Sequence, residues 1–250
     1  FLKRVDPFFI LDTINNKNIS SKEFLNNSIK IANFLIEEEN LSRGDRIILK
    51  IEHSVIFYEV IVACVLVGIV VCPISSDLKN QKIKNIIDTV KPKKIFTSIR
   101  EIFYSTNYDI PKSFDGFNDN QKFLMIFSSG TTSGSPKGII HSIGNVLASS
   151  KNFSKICKFT KKDIFYAFWP QYHMTGIFNL FFVPLISLSK IVFVDEFKVF
   201  LLKNLLINSK KYKITQLYLS PAMCSIAINL KNKLLRNFKF LNKTNIISTA

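Results

Sequence analysis

Apolar positions along the chain follow two periods that alternate from one end to the other. Segments with helical spacing lie between short runs rich in β-branched residues, which are typical of buried strands. The predicted helices are residues 22–39, 54–67, 78–90, 143–153, 175–186, 199–209 and one that begins at Pro221. The predicted strands are residues 46–51, 69–74, 95–98, 123–127, 164–168, 191–194, 214–219 and 245–248. This alternation predicts an α/β fold with largely parallel sheets, in which ligands lie at the carboxyl ends of strands.

The composition is that of a folded domain. Of 250 residues, 47% are hydrophobic and 21% are charged, with only 8 Gly and 8 Pro, which excludes a disordered, collagen-like or low-complexity chain. Residues 55–74 reach the length of a membrane span, but Gly68 divides them and Pro73 closes the second part. We therefore predict a helix, a turn and a buried strand there instead of a span. Because residues 1–19 contain no signal peptide, we expect a cytoplasmic location.

The charge is strongly basic, with 34 Lys and Arg against 18 Asp and Glu, a net charge of +16. The basic clusters are spread over many predicted elements, whereas a nucleic-acid-binding protein tends to concentrate its charge on one face. We therefore expect a solvated basic surface and no specific nucleic-acid partner, with weak attraction to polyanions at low salt. The four cysteines form no C-x-x-C pair, so the spacing of a zinc site is absent.

One loop carries the chemistry of a phosphate-binding site. It follows the predicted strand 123–127 and combines three glycines, six hydroxyl side chains and one lysine without an acidic residue. Backbone N–H groups, hydroxyls and a lysine can surround phosphate oxygens, and a helix that starts near Ser142 should point its positive end toward them. The alternative is a flexible surface loop. The candidate residues are Ser128, Ser129, Gly130, Thr131, Thr132, Ser133, Gly134, Ser135, Pro136, Lys137 and Gly138.

A second loop, Pro170 to Gly176, follows the predicted strand 164–168 and contains His173 between aromatic neighbours. A neutral imidazole could donate a hydrogen bond to a carboxylate. The alternative is a half-buried structural histidine. Trp169 and Tyr172 belong either to the core or to the wall of a pocket. A further histidine, His141, follows the first loop and is a weaker candidate for seating a nucleotide.

Together these segments resemble the adenylate-forming superfamily of acyl- and aryl-CoA synthetases, amino-acid adenylation domains and luciferases. The family's phosphate-loop signature, S/T-G-T/S-T-G-x-P-K-G, is similar to SGTTSGSPKG at residues 129–138, which is one residue longer before Pro-Lys-Gly. Residues 170–176 are similar to the family's P-x-x-H-x-x-G element. Weaker similarities follow in family order at residues 22–33, 41–48, 68–74, 214–223 and 246–250.

The resemblance implies an AMP-forming acid–thiol ligase. A small carboxylic acid would attack ATP to give an acyl-adenylate and pyrophosphate, and coenzyme A or the pantetheine of an acyl-carrier protein would then take the acyl group. Ser129, Thr131, Thr132 and Lys137 would neutralise the departing phosphates, with Mg²⁺ at the phosphates near Thr132. Trp169, Tyr172 and His173 would line the acid pocket, which suits an uncharged acyl or aryl acid, as in fatty-acid metabolism.

The resemblance also implies what the chain lacks. It contains neither the family's Tyr-Gly-x-Thr-Glu segment nor the lysine of the small C-terminal domain, and no catalytic residue can be assigned within it. Since the first residue is Phe1 rather than Met, we expect residues 1–250 to be a truncated, incomplete N-terminal AMP-binding domain built of layered parallel-sheet subdomains. Such a piece should be inactive alone. The alternative is a non-catalytic nucleotide- or acyl-binding relative that lacks the C-terminal half.

Overall fold

A computed structural model describes residues 9–78, 80–112, 114, 116, 118–128, 137–196, 202–226 and 244–248. The helices are α1 (Ser21–Glu37), α2 (Val55–Val67), α3 (Asn80–Val90), α4 (Ile143–Ile156), α5 (Val183–Ile186) and α6 (Leu202–Lys211), with a 3-10 turn at Ile99–Glu101, a π-helix at Thr175–Phe182 and a further helical segment at 221–226. The strands are β1 (Ile10–Asp12), β2 (Lys17–Ile19), β3 (Arg46–Leu49), β4 (Val70–Pro73), β5 (Lys94–Phe96), β6 (Lys122–Ser128), β7 (Lys137–Ser142), β8 (Ile164–Ala167), β9 (Lys190–Phe193), β10 (Gln216–Leu219) and β11 (Asn245–Ser248).

The described strands form two sheets. One has five strands in the order β5-β3-β4-β6-β7, and the other has six in the order β11-β10-β8-β9-β1-β2. Neighbouring strands are parallel except at the β6–β7 and β1–β2 pairs, which are antiparallel. The predicted α/β fold with largely parallel sheets is confirmed.

The apolar stretch at residues 55–74 folds as the sequence predicts. Helix α2 ends at Gly68, which adopts the left-handed conformation at φ 75° and donates its N–H to the carbonyl of Cys64. Glycine is the residue that adopts this conformation without a steric penalty. A Cβ atom at this position would also lie 2.7 Å from Cγ of Arg43. The chain then turns directly into the buried strand β4. In the part of the chain that the structure describes, no helix is long and apolar enough to cross a bilayer.

Aromatic side chains join the two sheets through a continuous core. The ring of Tyr58 on α2 stacks on Phe181 of the π-helix at 4.4 Å between centroids, and Phe181 lies 5.7 Å from Phe24 of α1. Tyr58 also meets Phe193 of β9 edge-to-face at 6.1 Å. Helix α2 of the five-stranded layer therefore packs on the π-helix and β9 of the six-stranded layer.

A carboxyl group is also buried beside this core. Glu59 of α2 is 2% exposed, and it accepts hydrogen bonds from the Asn27 side-chain amide (2.8 Å) and the Tyr104 hydroxyl (2.7 Å). Burial raises the pKa of the Glu59 carboxyl above its ordinary value, and the two hydrogen bonds offset only part of this effect. The carboxyl ties α1, α2 and the segment after the 3-10 turn together.

We expect the Glu59→Gln variant to change the pH dependence of stability. Between the ordinary pKa of about 4.5 and the raised pKa, the folded protein keeps a proton that the unfolded chain has lost. The contribution of Glu59 to stability therefore falls as pH rises through this window. Glutamine keeps both contacts, because its oxygen can face Asn27 and its amide can donate to the Tyr104 oxygen. Denaturant unfolding from pH 4 to 8 should show nearly equal stability at pH 4 and a more stable variant at pH 8.

The matched control is Glu38→Gln, which changes an exposed glutamate by the same chemistry. Its unfolding free energy should follow the wild-type pH profile. Parallel profiles for wild type and Glu59→Gln would contradict the role given to Glu59.

Candidate functional site

The predicted phosphate loop closes a β-hairpin. Strands β6 and β7 pair in antiparallel register, with Phe127 opposite Gly138 and Ser128 opposite Lys137. Lys137 is exposed at the open end of β7, and Gly138 packs closely enough that a Cβ atom would lie 3.0 Å from Sδ of Met125. Eight predicted residues lie outside the described part of the chain: Ser129, Gly130, Thr131, Thr132, Ser133, Gly134, Ser135 and Pro136.

A strand separates the predicted phosphate loop from the helix that the sequence places after it. Helix α4 does begin after Ser142, whose hydroxyl caps it by accepting from the N–H of Asn145 at 3.2 Å. However, the six-residue strand β7 lies between the loop and this cap, a distance of about 17 Å along an extended strand. The field of a helix end acts mainly near its first turn, and β7 sets that turn of α4 apart from Lys137 at the start of the strand.

The second predicted loop is held firmly between β8 and the π-helix. The Trp169 indole is half-buried and donates to the carbonyl of Tyr218 at 2.8 Å, so this ring belongs to the packing of the six-stranded sheet. The N–H of His173 donates to the carbonyl of Pro170 at 3.1 Å. The rings of Tyr172 and His173 lie 4.6 Å apart. The His173 side chain is exposed, but partial burial still lowers its pKa and favours the neutral imidazole.

A cleft of about 510 Å³ lies between α4 and the π-helix. Its wall combines aromatic and aliphatic groups with uncharged polar groups, and none of its residues carries a formal charge at neutral pH when histidine is neutral. The lining residues are His141, Asn145, Ser149, Ser150, Phe153, Met174, Thr175, Phe178, Asn179 and Val183. His141 meets Phe178 edge-to-face at 5.4 Å, and burial lowers its pKa.

One segment of the predicted wall lines this cleft, and the other predicted wall residues do not. The segment predicted as an apolar helix over residues 175–186 supplies one side of the cleft, but Trp169, Tyr172 and His173 do not line it. The opposite side comes from α4, whose polar residues gave no sign of a pocket in the sequence. His141 was a weak candidate for the nucleotide and instead lies at the entrance of this cleft.

The local backbone at the cleft differs from an ordinary helix. Residues Thr175–Phe182 form a π-helix, in which the N–H of Val183 donates to the carbonyl of Phe178, five residues back. Short π-helical turns inside longer helices are rare and are frequent at functional sites. The apolar periodicity predicts a helix here but does not distinguish the two helical types.

A second groove of the same volume lies against the five-stranded sheet. It is lined by Arg43, Arg46 and Lys122 together with Asn118, Asn120 and Gln121. Arg46 and Lys122 begin β3 and β6, so this groove lies at the amino ends of the strands. Ligands of open α/β sheets bind at the carboxyl ends, which counts against this groove as the functional site.

No metal site is visible among the residues that the structure describes. They contain no cluster of three or more His, Cys, Asp or Glu side chains that could hold an ion. Thr132, which the sequence associates with Mg²⁺, lies outside them.

Comparison with protein families identifies one match. The model of the family described as AMP-binding enzyme matches residues 6–119 and 111–242, which is nearly the whole chain. Over 76 residues the chain is 36% identical to a protein of Humulus lupulus named "Probable CoA ligase CCL8", and over 90 residues it is 32% identical to the "Malonate--CoA ligase" of Arabidopsis thaliana. These alignments cover 30% and 34% of this chain but only 12% and 15% of the relatives.

Solved structures share the fold at low sequence identity. ATP-bound MatB from Rhodopseudomonas palustris superposes with a TM-score of 0.81 at 19% identity, over 99% of this chain and 53% of MatB. The N-terminal domain of FACL13 from Mycobacterium tuberculosis gives a TM-score of 0.79 at 14% identity, over 96% of this chain and 65% of that one. The chain therefore spans about half the length of MatB.

Proposed function

The chain belongs to the AMP-binding enzyme family, and from this premise we propose that it forms the nucleotide- and acid-binding part of an AMP-forming acid–thiol ligase. One observation carries the proposal. A short continuous segment connects the predicted phosphate loop to the cleft, because β7 runs from Lys137 at the loop to His141 in the cleft lining, and α4 follows as the cleft wall. Lys137 and His141 lie about 14 Å apart along this strand, so ATP bound at the loop would extend along β7 to bring its α-phosphate to an acid in the cleft.

In the proposed reaction the acid's carboxylate attacks the α-phosphorus of ATP, and pyrophosphate leaves. Lys137 and the hydroxyls of Ser129, Thr131 and Thr132 would neutralise the charge that develops on the departing phosphates. The backbone N–H groups of the glycine-rich loop would add further donors. Mg²⁺ bound to the phosphates would supply additional positive charge. A thiol, from coenzyme A or from the pantetheine of an acyl-carrier protein, would then take the acyl group from AMP.

We propose an uncharged acyl or aryl acid as the substrate. A charged group in the cleft would lose its hydration without an oppositely charged partner, because no lining residue is charged. Burying an unpaired charge costs far more than burying an uncharged polar group. The aromatic and aliphatic groups favour an apolar tail, and Asn145, Asn179 and the hydroxyls can accommodate a polar substituent. His173, on the segment that leads into the π-helix, would face the carboxylate end of the acid, with Tyr172 beside it and Trp169 behind.

We further propose that residues 1–250 are an incomplete N-terminal AMP-binding domain. The support is that the chain spans about half of MatB. The later family motifs and the small C-terminal domain would then lie in sequence beyond these residues. We expect a cytoplasmic enzyme without a specific nucleic-acid partner, since the basic residues are dispersed.

Acid-dependent exchange of labelled pyrophosphate into ATP tests the proposal. The protein, both as this chain and extended by its downstream reading frame, is assayed with a panel of neutral aliphatic, aryl, dicarboxylic and amino acids. We expect exchange with the extended protein and a preference of about 100-fold for neutral acids, the equivalent of about 3 kcal/mol of desolvation. Exchange only with dicarboxylic or amino acids would overturn the substrate class. ATP binding without any exchange would favour the non-catalytic relative.

A further inference from the structure

The side chain of Gln171 joins the two sheet layers at a buried point. Gln171 is 3% exposed. Its Oε1 accepts a hydrogen bond from the backbone N–H of Ser54 at 2.9 Å, and its Nε2 donates to the backbone carbonyl of the same residue at 2.9 Å. The two residues are 117 positions apart in the chain. One amide group therefore binds both backbone polar groups of a single distant residue.

The conformation of Ser54 explains why this contact is possible. Ser54 precedes α2 with an extended backbone, at φ −160° and ψ 161°, so its N–H and C=O both point sideways, as they do in a strand. The Gln171 amide pairs with them as a neighbouring strand would. Ser54 is 9% exposed, and its carbonyl also accepts from the N–H of Phe57 at 3.3 Å. Breaking the pair would therefore leave the buried Ser54 N–H without its partner, at a cost of about 1–3 kcal/mol.

A second tie holds the other end of the same loop. The hydroxyl of Tyr58, one turn further along α2, donates to the carbonyl of Gly176 at 3.0 Å. The Tyr58 ring is fixed by its stack on Phe181. Gln171 and Gly176 flank His173 on either side. Both ends of the loop that carries His173 are thus fastened to the first turn of α2.

We propose that Gln171 is a positioning residue that, together with Tyr58, fixes the His173 segment where it leads into the π-helix wall of the cleft. The consequence for catalysis rests on the proposed function, because it assumes that His173 faces the acid. The structural consequence, which is the position of the His173 imidazole, does not depend on the proposed function. The partners of both ties are backbone groups of Ser54 and Gly176, so we expect nucleotide binding not to depend on them.

Histidine-selective NMR tests the structural part directly. The chain contains three histidines, at positions 53, 141 and 173, and a His173→Gln variant assigns the signal of interest. In Gln171→Met, which keeps the side-chain length but loses both hydrogen bonds, we expect the His173 signal to shift and broaden. Its pKa should rise toward the ordinary value of about 6.5 as the ring becomes more hydrated. The His141 signal should stay unchanged.

A matched control separates positioning from a loss of stability. Gln216→Met makes the same substitution at a residue that is 1% exposed and whose Nε2 donates to Oδ1 of Asp163 at 2.7 Å. Gln216 begins β10, at the end of the sheet remote from His173. We expect this variant to be destabilised to a similar degree with the His173 signal unmoved. If Gln171→Met does not fold, Tyr58→Phe, which removes one hydroxyl and keeps the ring stack, should move the His173 signal in the same direction by a smaller amount.

In the catalytically active form, Gln171→Met should lower kcat/KM for the acid by about tenfold and leave KM for ATP within about twofold. An unchanged His173 signal in folded Gln171→Met, or in Tyr58→Phe if the former does not fold, would overturn the proposal. A shift of His173 in a protein that shows no pyrophosphate exchange would support the positioning role and count against the proposed function alone. A rise in KM for ATP equal to the effect on the acid would also overturn the positioning role.

Discussion

The Lys137→Ala variant should slow adenylate formation by about 10²- to 10³-fold while it changes the affinity for the acid by less than about twofold. The lysine lies at the base of the loop hairpin, exposed and opposite Ser128. In the proposed reaction, negative charge develops on the departing pyrophosphate as its bond to the α-phosphorus breaks. The ammonium group of Lys137 would stabilise this charge. Removing one such donor from a site of developing charge typically costs about 3–4 kcal/mol in the transition state. Pyrophosphate exchange at saturating acid measures the rate, and equilibrium dialysis with labelled acid measures the affinity.

The hairpin offers a matched control for this experiment. Lys122 is exposed at the other end of β6, paired with Ser142, about 20 Å from the loop along the strand. Lys122→Ala makes the same change in net charge on the same pair of strands. We expect its exchange rate to stay within about twofold of wild type. Equal rates for wild type and Lys137→Ala would remove the role assigned to the loop lysine, and equal losses in both variants would indicate a general electrostatic effect.

The order of helices and strands was predictable because most elements are local and strongly patterned. Helix α2 is an example, since its uninterrupted apolar run ends at a glycine that the structure places in the left-handed conformation. The buried parallel strands β3, β4, β8, β9 and β10 were visible as short β-branched or aromatic runs between turns. For these elements, burial on both faces of a sheet imposes an apolar pattern that the sequence shows directly.

The three strands that the sequence did not indicate are stabilised by partners elsewhere in the chain. Strand β7 lies at an edge, and its first four residues are exposed, so it has neither an apolar run nor an alternating pattern. Its conformation depends on pairing with β6. Strands β1 and β2 have three residues each. Strand β1 pairs with β9, and β2 pairs with β1. Without β7 the helix α4 would follow the loop directly, whereas the structure places this strand between them.

The candidate site likewise has parts with a local sequence pattern, which were predictable, and parts formed by distant residues, which were not. A loop rich in glycine and hydroxyl residues, and the element P-x-x-H-x-x-G, were visible because their chemistry lies within a few consecutive residues. The cleft was only half visible, because its second wall belongs to polar residues of α4, such as Asn145 and Ser149, that look like an ordinary solvated face. The tie between Gln171 and Ser54 gave no signal, because it joins two residues whose proximity follows only from the packing of one sheet layer on the other.

The structure also explains the glycine that ends the P-x-x-H-x-x-G element, and it predicts a large effect of replacing it. A Cβ atom on Gly176 would lie 2.2 Å from the carbonyl oxygen of Pro170 and 2.9 Å from Cα of Gln171. Those atoms cannot easily retreat, because the Pro170 carbonyl accepts from the N–H of His173 and Gln171 is bound to Ser54. Alanine would gain about 1 kcal/mol from its helix propensity. We expect the overlap to outweigh this gain and to destabilise Gly176→Ala by about 2–3 kcal/mol.

The fluorescence of Trp169, the single tryptophan of the chain, can detect a displacement of this loop. Trp169 precedes Pro170, and its indole is bonded to Tyr218, so displacement of the loop in Gly176→Ala should expose the ring and shift its emission to longer wavelength. Gly44→Ala is the control, because a Cβ atom there meets nothing within 4 Å and the cost comes only from its φ of +88°. That strain should destabilise the control by about 1–2 kcal/mol without changing the Trp169 emission. Wild-type stability and emission in Gly176→Ala would mean that the loop is not held against the start of the π-helix, and the positioning of His173 by Gln171 would then lose its structural basis.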